Sequence, residues 1–293
     1  MRTIAASLLL VLLLLSSVDA IGKQSDARGQ APQATNKGGN ESQNPEELFN
    51  TAKDLLRKGQ LDEAQAILKR LADAYPQSPA VHYALGLSYY GQDKYKSASE
   101  ELGKVLALRP EKEIYLLKAQ LDLRRNAPEE ALQTCKEAIK VAPGSGEVYV
   151  MMGEAQVALG KKSEAVDSLR KASQLGPNYA EAFVMLGDIL SGDDKLGSTQ
   201  EVVDAYSKAM EADSKHQAGR FQLGRFLVKH GKLAEARKLW EGRTSDEDNE
   251  YPNFIEVLER AENLQRAQKA IAETPHDPKA LVQYGLTDRK SVV

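Results

Sequence analysis

The chain has 293 residues, of which 42% are hydrophobic, 28% charged and 6% aromatic, and its formal net charge is −3. That balance fits a soluble globular chain with room for one large domain or two small ones, and it offers no basic field to retain nucleic acid. Cys135 is the single cysteine. An intramolecular disulfide and a cysteine zinc cluster are therefore excluded, and packing must supply the stability.

Residues 1–20 read as a signal peptide. Arg2 gives a short positive start, Ile4 to Leu15 is a leucine-rich apolar run, and Val18-Asp19-Ala20 presents small residues for cleavage after Ala20. The run is shorter than the roughly 20 residues that span a bilayer, so no integral membrane span is expected after cleavage. Arg2 and Asp19 cancel, and cleavage leaves the net charge unchanged. Residues 21–44 are rich in Gln, Asn, Gly, Ser and Lys. Such a tract buries too little apolar surface to offset its ordering entropy and reads as a disordered linker.

From residue 45 a period takes over. Pro76, Pro110, Pro143 and Pro177 are spaced by 34, 33 and 34 residues, enough for two helices of about a dozen residues and two short turns. A small residue follows each proline at a nearly constant distance: Gly86, Ala119, Gly153 and Gly187. Then come an alanine (Ala64, Ala98, Ala131, Ala165) and, four residues on, a large apolar or thiol side chain (Leu68, Leu102, Cys135, Leu169). The small residues let the two helices of a hairpin approach closely. The larger side chain fills the space between hairpins, and proline ends the second helix. Gly59, Gly160 and Gly231 stand where a first helix should close.

This joint pattern resembles the tetratricopeptide repeat family. The resemblance implies an all-α, right-handed superhelical solenoid of antiparallel helix hairpins, with six repeats over residues 45–243. Repeat five carries about three extra residues between Ser191 and Thr199, and Ser214 replaces the expected proline. Repeat six runs through Leu223, Gly224, Gly231, Ala236 and Trp240. Residues 244–275 read as an acidic connector followed by one long amphipathic helix, Phe254 to Ala272. Residues 276–293 read as the truncated start of a further repeat around Leu281, Tyr284 and Gly285. The natural protein is therefore expected to continue, and Asp288 to Val293 matches the translation of a common sequencing adapter.

No constellation for catalysis stands out. None of His82, His216, His230 and His276 has a metal-ligand neighbour at ligating spacing. Cys135 sits in a core slot and reads as a buried, inert thiol. Gly160-Lys161-Lys162-Ser163 lacks the upstream glycine of a phosphate loop, and Asp246 to Glu250 lacks the glycine and terminal glutamate of a calcium loop. The expectation is a binding protein, not an enzyme, with no cofactor and no metal.

In the resembled family the first helices line the concave face. One helical face of each then projects inward. This gives Phe49, Lys53, Leu56 and Arg57; Tyr83, Leu87 and Tyr90; Leu116, Gln120, Leu123 and Arg124. It continues with Glu147, Val150, Glu154 and Val157; Glu181, Val184 and Asp188; Phe221, Arg225 and Lys229. Hairpins one to three offer aromatic and aliphatic groups with cations, whereas four and five stack Glu147, Glu154, Glu181 and Asp188. The groove expected to bind a polypeptide partner comprises Phe49, Tyr83, Leu87, Tyr90, Leu116, Glu147, Val150, Glu154, Glu181, Val184, Asp188 and Phe221. Some family members clamp a partner's C-terminal carboxylate, but Phe49, Tyr83 and Ala84 occupy the matching slots here. The sequence reads as a secreted or periplasmic scaffold for a protein or peptide in cell-envelope assembly, without fixing its oligomeric state. Two alternatives stay open: the docking arm of a larger exported enzyme, and a cell-wall or carbohydrate binder.

Overall fold

The computed structural model describes residues 44–176, 179–213, 217–241, 251–274 and 282. The expected signal peptide, the linker before Asn44, Ser214, the acidic connector and the half-repeat after Pro275 (Val282 apart) lie outside them. Thirteen helices are described: α1 (Pro45–Arg57), α2 (Leu61–Ala74), α3 (Pro79–Gly91), α4 (Tyr95–Leu108), α5 (Lys112–Arg124), α6 (Pro128–Val141), α7 (Gly146–Ala158), α8 (Lys162–Leu175), α9 (Ala180–Ser191), α10 (Thr199–Ala212), α11 (Gln217–Lys229), α12 (Leu233–Lys238) and α13 (Tyr251–Glu273). Two compact units divide at Lys161/Lys162, in the turn between α7 and α8.

In the first unit α1–α2, α3–α4 and α5–α6 are hairpins and α7 follows. Each second helix packs on the next first helix, and first helices also touch each other, α1 with α3 and α5 with α7. That extra contact makes the first helices the inner layer. The repeat slots are core: Ala64, Ala98 and Ala131 are 0% exposed, Leu68 0%, and Leu102 and Cys135 1%. Each buried leucine is worth roughly 1.5–3 kcal/mol of transfer free energy.

One turn geometry closes each first helix here. The amide three residues past the helix bonds back to the carbonyl five residues earlier: Gln60 to Leu55, Lys94 to Tyr89, Ala127 to Asp122 and Lys161 to Gln156. This motif needs a left-handed residue just before that amide. Gly59 (φ 74°), Asp93 (57°), Asn126 (59°) and Gly160 (73°) supply it. At the other end, Tyr75, Arg109 and Ala142 each precede a proline and leave the helical region, with ψ of 65°, 93° and 69°. The proline ring excludes the helical conformation from the residue before it, so each second helix stops there.

In the second unit α8 packs on α9, α9–α10 and α11–α12 are hairpins, and α13 packs on both α11 and α12. The extra residues before Thr199 form a braced loop. Ser198 and Glu201 cap α10 reciprocally, and Arg170 on α8 donates to Leu196 O at 3.2 Å and to Glu201 Oε1 at 2.8 Å. The sixth hairpin departs from the expected length, because its second helix α12 stops after six residues. Trp240 turns in beyond it and stacks on Phe254 of α13, centroids 4.7 Å apart. The long helix expected over Phe254 to Ala272 is α13. Phe254, Leu258 and Ala267 are its 0% exposed positions, and Glu262 is gripped by both Nε and Nη2 of Arg237.

Candidate functional site: the inner face of the first helices

Hairpin two does not present an open wall. Tyr83, Leu87 and Tyr90 are 1%, 1% and 2% exposed, in one buried cluster with Leu56, Ile114 and Leu121. The reason is visible in α3 itself. Ala80 through Ser88 is buried without interruption, on a helix with no Asp, Glu, Lys or Arg. A helix that is apolar all round goes inside. Its polar members are satisfied locally: Ser88 Oγ donates to Leu85 O, and His82 has Glu101 Oε2 at 2.7 Å on Nδ1 and Pro76 O at 3.0 Å on Nε2. His82 thus ties the loop after α2 to hairpin two, a packing role and not a catalytic one.

The open inner positions lie to either side. Phe49 is half-buried beneath Lys53, whose Nζ is 5.4 Å from the ring centroid. On α5, Leu116, Gln120 and Leu123 are half-buried and Arg124 is exposed. On α7, Glu147 and Val157 are exposed while Val150 and Glu154 are half-buried. Glu147 is not a free carboxylate, because Lys112 of α5 reaches it at 2.8 Å. That hydrogen bond holds the Lys112 ammonium above its usual pKa.

In the second unit Glu181 is exposed, and Val184 and Phe221 are half-buried. Asp188 is exposed, yet partial desolvation raises its carboxyl, against the opposing effects of a 2.7 Å hydrogen bond from the Tyr206 hydroxyl and the nearby Arg225 charge. Burial also pushes the Tyr206 hydroxyl up. Arg225 lies over the Phe221 ring at 5.7 Å, and Phe221 meets Phe254 edge-on at 6.4 Å. Glu147 and Glu154 belong to the first unit and Glu181 and Asp188 to the second, with Glu147 and Asp188 already engaged.

Cys135 is 1% exposed, and burial pushes its thiol up to about 12, as expected of an inert core residue. The feature that sequence reasoning missed is Asp122, 0% exposed on α5. It accepts from Ser99 Oγ (2.6 Å), Lys118 Nζ (2.8 Å) and Arg125 Nε (3.0 Å). This knot joins α4, α5 and the following turn and anchors the helix that carries Leu116 and Arg124.

The comparisons agree with this architecture. Residues 55–121 and 122–188 match the family model described as tetratricopeptide repeat. Among solved structures, PilF of Pseudomonas aeruginosa is 16% identical with a TM-score of 0.53, over 84% of this chain and 97% of that one. MamA from Desulfovibrio magneticus RS-1 is 22% identical with a TM-score of 0.51, over 59% and 96%. YrrB, described as a TPR protein with an unusual peptide-binding site, is 17% identical with a TM-score of 0.50, over 69% and 96%. These identities speak to fold alone. No curated protein matches the chain. With the repeat slots buried as hairpin packing requires and two family matches running end to end, residues 55–188 belong to the tetratricopeptide repeat family.

Proposed function

We propose that the protein is an exported scaffold that holds a polypeptide partner against the inner layer of its first helices, in assembly work at a cell envelope. Repeats of this family serve protein–protein interaction, which is the coarser part of the reading. The observation that carries the finer part is the open strip on α5 and α7. Leu116, Leu123 and Val150 stay half-buried and Val157 is 41% exposed, whereas the same face of α3 is closed. Half-buried aliphatic groups beside fixed charges suit an extended peptide, which needs apolar contact and a few oriented polar groups. YrrB, of the same fold, is described as having a peptide-binding site, which accords with this use. Export rests on the N-terminal Arg2, the leucine-rich run and the small residues ending at Ala20.

Site-specific photo-crosslinking tests the reading. A benzophenone side chain at Leu123 or Val157 should capture a polypeptide in cells of the source organism. The same group at Glu137, exposed on α6, should not. Equal capture from both faces, or none from the inner one, would move the binding surface elsewhere.

A further inference from the structure

Two side chains in the last turns of α5 and α7 are left open. These first helices touch each other and, being separated by one antiparallel helix, run in the same direction, so their last turns lie at the same end of the hairpins. Arg124 closes α5 and is exposed. Its guanidinium carbon stands 5.7 Å from the Tyr90 ring centroid and 6.0 Å from that of Tyr95, and the two rings are 5.9 Å apart. The Tyr95 hydroxyl donates to Asp93 at 2.6 Å and so fixes one ring of this platform. The guanidinium, held against the two rings and hydrogen-bonded to the Tyr95 hydroxyl, keeps its remaining N–H groups for an anion, and little freedom remains to be lost on binding.

The other arginines described in this unit near the inner layer and its turns are neutralised. Arg57 pairs with Asp54, Arg109 with Glu111 and Arg125 with Asp122. Among the described residues Arg124 has its aromatic contacts but no carboxylate at ion-pair distance. The inward register of hairpins one to three carries Lys53, Arg57 and Arg124 and no Asp or Glu, while α7 adds Glu154 and, at its other end, Glu147 paired with Lys112. Val157, in the last turn of α7, is 41% exposed.

We infer that this end of the α5–α7 layer takes an acidic side chain of the partner polypeptide on Arg124, with an aliphatic neighbour on Val157. The inference rests on the peptide-binding reading above and names the chemistry of the segment bound. Carboxylate and guanidinium form a two-pronged, charge-assisted pair, which a lysine- or glutamine-bearing segment cannot make.

The test is fluorescence anisotropy of the full chain with three amide-capped octapeptides, in which leucine alternates with glutamate, glutamine or lysine. The caps remove the terminal carboxylate, so that only side chains are read. The glutamate peptide should bind about tenfold tighter than the glutamine peptide, and its affinity should fall as salt rises. Arg124→Gln should abolish the difference while the melting temperature of the protein stays within a few degrees. Preference for the glutamine or lysine peptide, or an unchanged glutamate affinity in Arg124→Gln, overturns the inference and leaves peptide binding standing. Binding of none of the three at millimolar concentration overturns both.

Discussion

At the scale of single residues, one repeat slot hides two different demands. Gly86, Gly187 and Gly224 all face a second layer of helix. A Cβ added at Gly86 would meet Ala98 O, Glu101 Cβ and Leu102 Cδ2, all at 3.5 Å, which is ordinary contact. One added at Gly187 would lie 2.5 Å from Tyr206 Cε1, and one at Gly224 would run into the Phe254 ring. Tyr206 is fixed by its bond to Asp188, and Phe254 is stacked on Trp240, so neither ring can yield cheaply. Gly86→Ala is therefore expected to be neutral or to stabilise by up to about 1 kcal/mol, since glycine is a poor helix former. Gly187→Ala and Gly224→Ala should each cost about 1–3 kcal/mol through overpacking. Urea unfolding of the three variants checks this, and an equal effect at all three would show that the slot is uniform. Ala119, 1% exposed in the same slot of hairpin three, already shows that one methyl group fits there.

At the scale of the element, α5 is held by a buried acid. Asp122 draws donors from α4, from its own helix and from the turn after it, and Thr134 of α6 approaches at 3.4 Å. Lys118 and Arg125 are 20% and 24% exposed in their side chains, so Asp122→Ala would leave Lys118 without its counter-charge and Arg125 with Glu130 alone, at 3.4 Å. That places the expected loss near the low end of the range for a broken buried pair, about 3 kcal/mol. Asp122→Asn, which keeps an acceptor for Ser99, should lose less. Chemical denaturation of both checks the order, and a loss below about 1 kcal/mol in the alanine variant would mean that packing alone holds α5. Lys118 and Arg125 stand at helical spacing from Asp122, but the burial of the acid was not legible in the sequence, because Ser99 and Thr134 reach it from other helices. The hairpins were legible, since proline, glycine and alanine recur for steric reasons that hold in every repeat. Gly59, Gly160 and Gly231 could be read as left-handed turn residues, but Asp93 and Asn126 fill the same role without the glycine signal, using the tolerance of Asn and Asp for that conformation. The inner face was read from the family resemblance and helical register. Register placed Arg124 and Val157 in the open but could not separate them from Tyr83, Leu87 and Tyr90, whose burial follows from the absence of charge along the whole of α3.

At the scale of the whole molecule, the proposed export makes two demands that one experiment can follow. The first is processing. Cleavage after Ala20 would remove Arg2 together with Asp19 and leave a chain that starts at Ile21 with its net charge of −3 unchanged. Among the described residues no helix is long and apolar enough to cross a membrane. The second demand concerns the lone thiol. An oxidising compartment favours intermolecular disulfides wherever a thiolate is accessible. Cys135 is 1% exposed, and burial pushes its thiol up to about 12, so at neutral pH it is both covered and protonated. The protein collected from the exported fraction of a bacterial host is therefore expected to show an N-terminal sequence beginning at Ile21. It should run as a monomer on a non-reducing denaturing gel and react with a thiol-specific dye only after denaturant is added. A retained Met1 in the membrane fraction would reject cleavage, and fast dye reaction of the native protein would reject the sealed core at Cys135. The two results are separable, because the first reads residues 1–20 and the second reads the packing of α6 against its neighbours.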